Sequence, residues 1–126
     1  MTDNLYHEAL LDIYKHPLNK QALADFSIQH KEINSTCGDE VEIFIKLEND
    51  RVTKIGWQGT SCAISQAGAS LTTDAVKGKT AAEIKAMTPE TVLTLLGLPN
   101  LNPTRLRCAL LALEALKKAL VKCPLN

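Results

Sequence analysis

The sequence predicts an α+β fold in which one helix precedes a small sheet and the remaining helices follow it. Three observations carry this expectation. An amphipathic stretch ends at Pro17, an alternating stretch runs from Phe26 to Gln58, and from Cys62 onward the apolar period becomes helical. Strands grouped between helices, rather than alternating with them one by one, mark the α+β class. The chain has 126 residues, of which 45% are hydrophobic, so a single domain over 1–126 with a real core is expected.

Residues 4–16 read as the first helix, because Tyr6, Leu10, Ile13 and Tyr14 share one face. Asn4 is its expected cap, and Pro17 forces the chain out of helical backbone. From residue 26 to 48 the chain reads as β. Phe26, Ile28 and His30 alternate with polar neighbours, and Val41, Ile43, Ile45 and Leu47 line one strand face. Glu48-Asn49-Asp50-Arg51 is a turn signal, and a return strand over 52–58 carries Ile55 and Trp57.

Thr60 or Ser61 is the expected cap of a helix from Ala63 to about Val76, with Gly78 expected in the left-handed position just past its end. Its small residues, from Ala63 to Ser70, suit close packing. Thr80-Ala81-Ala82-Glu83 is a capping box for a short helix. Thr88-Pro89-Glu90 opens another helix, which Gly97 closes. Asn102-Pro103 opens the last, running to about Lys122 and apolar almost all round near Cys108.

Charge and composition exclude several functions. Fourteen basic residues balance fourteen acidic ones, and aromatics are 4%. Neither a phosphate-gripping surface nor a stacking platform for single strands fits, so no nucleic-acid partner is expected. No targeting pattern and no membrane-length apolar run is present, so a soluble cytoplasmic protein is expected. Residues 39–50 hold five acids and one base, whereas 103–126 hold five bases and one acid. Two solvated faces are the simplest reading of that asymmetry; a surface that steers a partner is the other.

Four cysteines remain: Cys37, Cys62, Cys108 and Cys123. None forms a C-x-x-C pair, so a zinc ribbon and a thioredoxin-type motif are excluded. A free cysteine is often just a small buried hydrophobe. Yet Cys37 precedes Gly38-Asp39 before a strand, Cys62 stands at a helix start, and Cys108 lies in the second turn of a helix beside Arg105 and Arg107. Helix starts and neighbouring cations favour the thiolate, the form that binds metal and attacks sulfur. Three thiolates with the Asp39 carboxylate suit tetrahedral zinc, or a cluster held with one replaceable ligand.

Five ordered blocks give this set its context. They are Tyr14-Lys15-His16-Pro17-Leu18-Asn19, Asn34-Ser35-Thr36-Cys37-Gly38-Asp39, Gly59-Thr60-Ser61-Cys62-Ala63-Ile64-Ser65, Lys77-Gly78-Lys79 and Arg105-Leu106-Arg107-Cys108-Ala109. In that order, spanning about residues 5–120, they resemble the U-type iron–sulfur cluster assembly proteins: IscU, SufU and the N-terminal domain of NifU. The resemblance implies a three-stranded antiparallel sheet packed against several helices. It implies that Cys37, Asp39, Cys62 and Cys108 form one exposed metal and cluster site. It further implies a cysteine desulfurase partner that delivers persulfide sulfur, and recipient apo iron–sulfur proteins. The implied cargo is iron and a transient [2Fe–2S] cluster, with zinc as the alternative occupant.

Two functions follow from the resemblance. One is a scaffold on which the cluster is built, with Cys108 as the first persulfide acceptor by analogy with Isc-type members. The other is a zinc-dependent sulfurtransferase of Suf type, with Cys37 as acceptor. Arg107 is the Suf-type residue where Isc-type members carry His, but the long Suf-type insertion between the second and third Cys is missing. Leu101-Asn102-Pro103-Thr104-Arg105 keeps only part of the Leu-Pro-Pro-Val-Lys sequence of Isc-type scaffolds, which disfavours a dedicated Hsp70-type chaperone. Cys123 has no counterpart in the family. His7, His16 and His30 read as surface or satisfied histidines, and Tyr14 and Trp57 as packing residues.

Overall fold

A computed structural model of the chain describes residues 2–35, 38–60, 62–97 and 101–122, with the side chains of residues 2–7 and 122 outside that description. Cys37, Ser61 and Cys123 lie outside the described residues, as do the side chains of Asn4, Tyr6 and His7.

Helix α1 (Thr2–Lys15) is followed by strands β1 (Ile28–Asn34), β2 (Asp39–Glu48) and β3 (Arg51–Gln58). Four helices complete the chain: α2 (Ala63–Ala75), α3 (Ala81–Lys85), α4 (Pro89–Leu96) and α5 (Pro103–Lys122). The strands form one antiparallel sheet in the order β1-β2-β3, as the α+β expectation required. Asn49 and Asp50 both take positive φ, 52° and 64°, which is the two-residue hairpin geometry that follows the twist of the strands.

One sheet face is the core. Val41, Ile43 and Ile45 are buried there with Ile55 and Trp57, under Ala67, Leu111, Ala112 and Leu116 from the helices. Ile43 pairs with Trp57 and Ile45 with Ile55 across β2 and β3, so the alternating pattern became a continuous apolar surface. The opposite face is partly covered by the chain before β1. Gln21 passes over Gly56, Lys46 meets Asp25, and Phe26 packs edge-on against Phe44 at 5.6 Å. Phe26 is thus not a residue of β1, which starts at Ile28, although the Ser27 N–H already donates to the Ile45 carbonyl at 2.7 Å.

Residues 18–20 are pinned along the β3 edge. The Leu18 N–H donates to Ser70 Oγ, Asn19 Nδ2 to Thr73 Oγ1, and Lys20 Nζ to Gln66 Oε1, at 3.1, 3.1 and 2.9 Å. Trp57 returns two bonds, from its N–H to the Asn19 carbonyl and from Nε1 to the Leu18 carbonyl, at 3.0 and 2.8 Å. The segment holds α1 against α2 and buries Trp57 completely.

Several helix ends match expectation. Thr80 and Glu83 form the reciprocal capping box, Pro89 opens α4, Gly97 ends it in left-handed backbone, and Asn102 Oδ1 caps Arg105 N at 2.9 Å. Others differ. Helix α1 begins at Thr2, so Asn4 lies inside its first turn: the apolar spacing sets a helix face, not its boundary. Helix α2 ends at a Val76 cap, which places Gly78 (φ 81°) one residue later than the expected position, where its N–H donates to the Val52 carbonyl. Tyr14 is 45% exposed and packs only in part. Among the described residues no helix is long and apolar enough to cross a membrane.

Candidate metal centre

Three elements meet at one place. Asp39 is the first residue of β2, Cys62 immediately precedes α2, and Cys108 lies in the second turn of α5. Their ligand atoms, one carboxylate oxygen and two sulfurs, all lie within 4.8 Å of one another.

Packing between α2 and α5 makes this convergence possible. Gly68 on α2 stands so close to α5 that a Cβ would come 2.5 Å from the Ala109 carbonyl oxygen. The run of small residues is therefore a packing surface, and it brings Cys108 down toward the start of α2. Cys108 is 3% exposed, Asp39 5% and Cys62 half-buried, so the described donors are more enclosed than the exposed site the resemblance implies, because α5 packs closely on α2.

Cys62 is itself the cap of α2, in place of the expected Thr60 or Ser61. Its backbone is extended (φ −73°, ψ 170°), and its Sγ accepts the Ser65 N–H at 3.5 Å. Asp39 reaches the same helix start from the sheet. Its Oδ1 accepts the Cys62 N–H at 3.3 Å and its Oδ2 the Ser65 hydroxyl at 2.6 Å. A carboxylate at the positive end of a helix is electrostatically favoured, which is why Asp39 tolerates 5% exposure.

The donor set fits a thiophilic metal. Tetrahedral binding at about 2.3 Å separates ligand atoms by about 3.8 Å. Atoms already within 4.8 Å need to close by no more than about 1 Å. Two soft sulfurs and a hard oxygen match zinc or iron rather than magnesium or calcium. Cys37, the fourth expected donor, precedes Asp39 by two residues in the chain.

Ser65 is the site residue that sequence reasoning undervalued. It stands in the Cys62 block, where the sequence marks it only as one of a run of small packing residues. Its place three residues after the capping Cys62 is the signal, because that position of a helix faces back toward its cap. None of the described histidines joins the site: His16 is exposed, and His30 Nε2 bonds Glu32 Oε1 at 2.9 Å on β1. Beside the site, Arg107 lines a cleft with Ile33, Asn34, Ser35, Leu111 and Glu114.

The uneven charges along the chain are partly paired in space. Lys118 Nζ lies 2.6 Å from Glu32 Oε2, Lys46 Nζ 3.1 Å from Asp25, and Lys31 Nζ 3.5 Å from Glu40. Burial alone would raise the Glu32 carboxyl, but hydrogen bonds from Lys118 and His30 outweigh it and hold the group below the usual range. The same hydrogen bond raises Lys118.

The family model of the NifU-like N terminal domain matches residues 5–125. The chain is 34% identical to a zinc-dependent sulfurtransferase SufU of Bacillus subtilis, over 95% of this chain and 92% of that one. It is 32% identical to an iron–sulfur cluster assembly scaffold protein IscU 1 of Archaeoglobus fulgidus, over 93% of this chain and 75% of that one. Its fold matches the crystal structure of the N-terminal part of a nitrogen-fixing NifU-like protein from Brucella abortus. That likeness has a TM-score of 0.75 at 21% identity, covering 95% of this chain and 94% of the other.

Proposed function

The chain belongs to the family of the NifU-like N terminal domain, and on that premise we propose that it is an iron–sulfur cluster assembly scaffold. It accepts sulfur from a cysteine desulfurase, binds iron, builds a transient [2Fe–2S] cluster and passes it to apoproteins. The observation that carries this reading is the meeting of Asp39, Cys62 and Cys108 from three separate elements. Cys37 completes the ligand set.

Each residue has a task in this reading. Sulfur arrives when the thiolate of Cys37 or Cys108 attacks the outer sulfur of the partner's persulfide. A new S–S bond forms on this chain, the partner's breaks, and the partner leaves as a thiolate; two electrons from an external thiol reductant, such as free cysteine, then release the outer sulfur as sulfide for the cluster. Cys108 is 3% exposed, so sulfur reaches it only after a local opening of the site. Cys62 caps α2 through its sulfur, which holds that donor at the start of the helix. Asp39 is the harder and weaker donor beside the thiolates, suited to leave first when the cargo is handed on.

A second reading is a zinc-dependent sulfurtransferase. It is supported by the identity to the Bacillus subtilis protein and by Arg107. In it, zinc held by Cys37, Asp39, Cys62 and Cys108 keeps the thiols as thiolates. Cys37 would be the residue that takes the sulfur.

Anaerobic reconstitution with ferrous iron, cysteine and a cysteine desulfurase separates the two. A coloured re-isolated protein that passes its cluster to an apo-ferredoxin is the expected result. A colourless protein that keeps zinc and accelerates the desulfurase would replace the scaffold reading with the sulfurtransferase.

A further inference from the structure

Ser65 touches two of the proposed ligands at once, and its hydroxyl does something a helical serine need not do. A serine or threonine inside a helix, past the first turn in which Ser65 stands, can turn its hydroxyl back to the carbonyl four residues earlier. Thr73 does so on this same helix, donating to the Ala69 carbonyl at 2.6 Å. Ser65 instead donates across to Asp39 Oδ2, also at 2.6 Å, from a residue 26 positions away on the sheet. Helix capping does not require this bond, because the Ser65 N–H already has the Cys62 sulfur as its acceptor. Ser65 is 4% exposed and Asp39 5%, so water does not compete for the pair.

We infer that Ser65 is the positioning residue of this centre: its hydroxyl fixes the Asp39 carboxylate in the orientation that meets Cys62 and Cys108. The inference rests on the metal-site reading above and deepens it. A carboxylate has about four acceptor positions. Here one on each oxygen is taken, by the Cys62 N–H at 3.3 Å and by the Ser65 hydroxyl at 2.6 Å. The longer bond constrains little; the shorter one sets the rotation of the group about its Cα–Cβ and Cβ–Cγ bonds. A metal would take a further acceptor position on the same carboxylate. The hydroxyl also lies 3.6 Å from Cys62 Sγ, so one side chain gauges the distance between carboxylate and sulfur. Groups that orient a metal ligand in this way are typically worth about 10- to 100-fold in metal affinity.

Cobalt(II) tests this on the full chain without any desulfurase. Affinity is read by competition with a chelator, and the thiolate-to-cobalt charge-transfer band reads the sulfur ligands. Ser65→Ala is expected to weaken cobalt binding about 10- to 100-fold while keeping the charge-transfer intensity per bound cobalt. Ser65→Thr, which keeps the hydroxyl, is expected to restore most of the affinity. Because Ser65 acts through Asp39, the double variant Ser65→Ala/Asp39→Ala is expected to bind no more weakly than Asp39→Ala alone. An affinity of Ser65→Ala within twofold of the parent, or a double variant whose losses add, would overturn the inference and leave the metal centre standing. A parent chain that binds no cobalt would overturn both.

Discussion

Gly68 and Ala109 are in backbone contact: a single added carbon on Gly68 would stand 2.5 Å from the Ala109 carbonyl oxygen. Cys108 directly precedes Ala109, and Cys62 lies six residues before Gly68 on the same helix run. The spacing of the candidate ligands is therefore set by how closely α2 and α5 approach. Gly68→Ala gains helix propensity worth about 1 kcal/mol. It also forces the helices apart at a typical overpacking cost of about 1–3 kcal/mol. We expect a net loss of stability in urea and a weaker hold on cobalt from the same variant. A midpoint and an affinity equal to the parent's would show that this contact does not set the site.

Most of this architecture was legible in the sequence because it rests on local patterns. The Asn49-Asp50 turn, the Thr80–Glu83 box, Gly97 and Asn102 each act within a few residues, and each appears where the pattern placed it. The Val41, Ile43, Ile45 alternation gave the core face of β2 for the same reason. The departures depend on distant partners. Phe26 follows the strand alternation, yet it lies on the outer face because Phe44 offers it a ring. Asp39 was legible as a candidate donor from its neighbours, but its hold on the start of α2 was not. The partner, Ser65, is 26 residues away, and its one local signal, a place three residues after Cys62, shows only once Cys62 rather than Thr60 or Ser61 is known to be the cap.

Gly56 governs the strap before the sheet. A Cβ there would stand 2.2 Å from the Gln21 carbonyl oxygen, which is backbone and cannot turn aside. Gly56→Ala should lift residues 18–21 from the β3 edge and break the bond from Trp57 Nε1 to the Leu18 carbonyl. Trp57 is the only tryptophan, so its emission reports this directly. A shift to longer wavelength with a lowered unfolding midpoint is expected. Unchanged emission would mean that the strap accommodates the added carbon without leaving Trp57.

Glu32 makes stability depend on pH. Its carboxyl is held below the usual value of 4.5. Its contribution is thus fully present above that value and is lost as pH falls through the lower folded-state value. The Glu32 side chain is 14% exposed but that of Lys118 is 58%, so solvent screens the pair and the effect is modest. Glu32→Gln should lower stability at pH 7 by about 1 kcal/mol or less. In urea titrations the gap between parent and variant should close toward pH 3. A gap that stays constant across that range would mean that the hydrogen bonds to Lys118 and His30 do not depend on the charge of Glu32.

Cys62 combines two roles that substitution can separate. Its sulfur caps α2 by accepting the Ser65 N–H, and it is also one of the proposed metal donors. Serine is among the preferred helix caps, whereas alanine cannot accept a hydrogen bond; losing a cap typically costs about 1 kcal/mol. Cys62→Ser should therefore keep the metal-free stability of the parent, while Cys62→Ala should lose about 1 kcal/mol. Both should fail to hold zinc or cobalt, because a serine hydroxyl does not ionise to replace a thiolate near neutral pH. Urea unfolding in the presence of a chelator reads the first role, and metal content after gel filtration reads the second. If Cys62→Ser retained the metal, Cys62 would be only the cap of α2, and the donor set would have to be completed elsewhere.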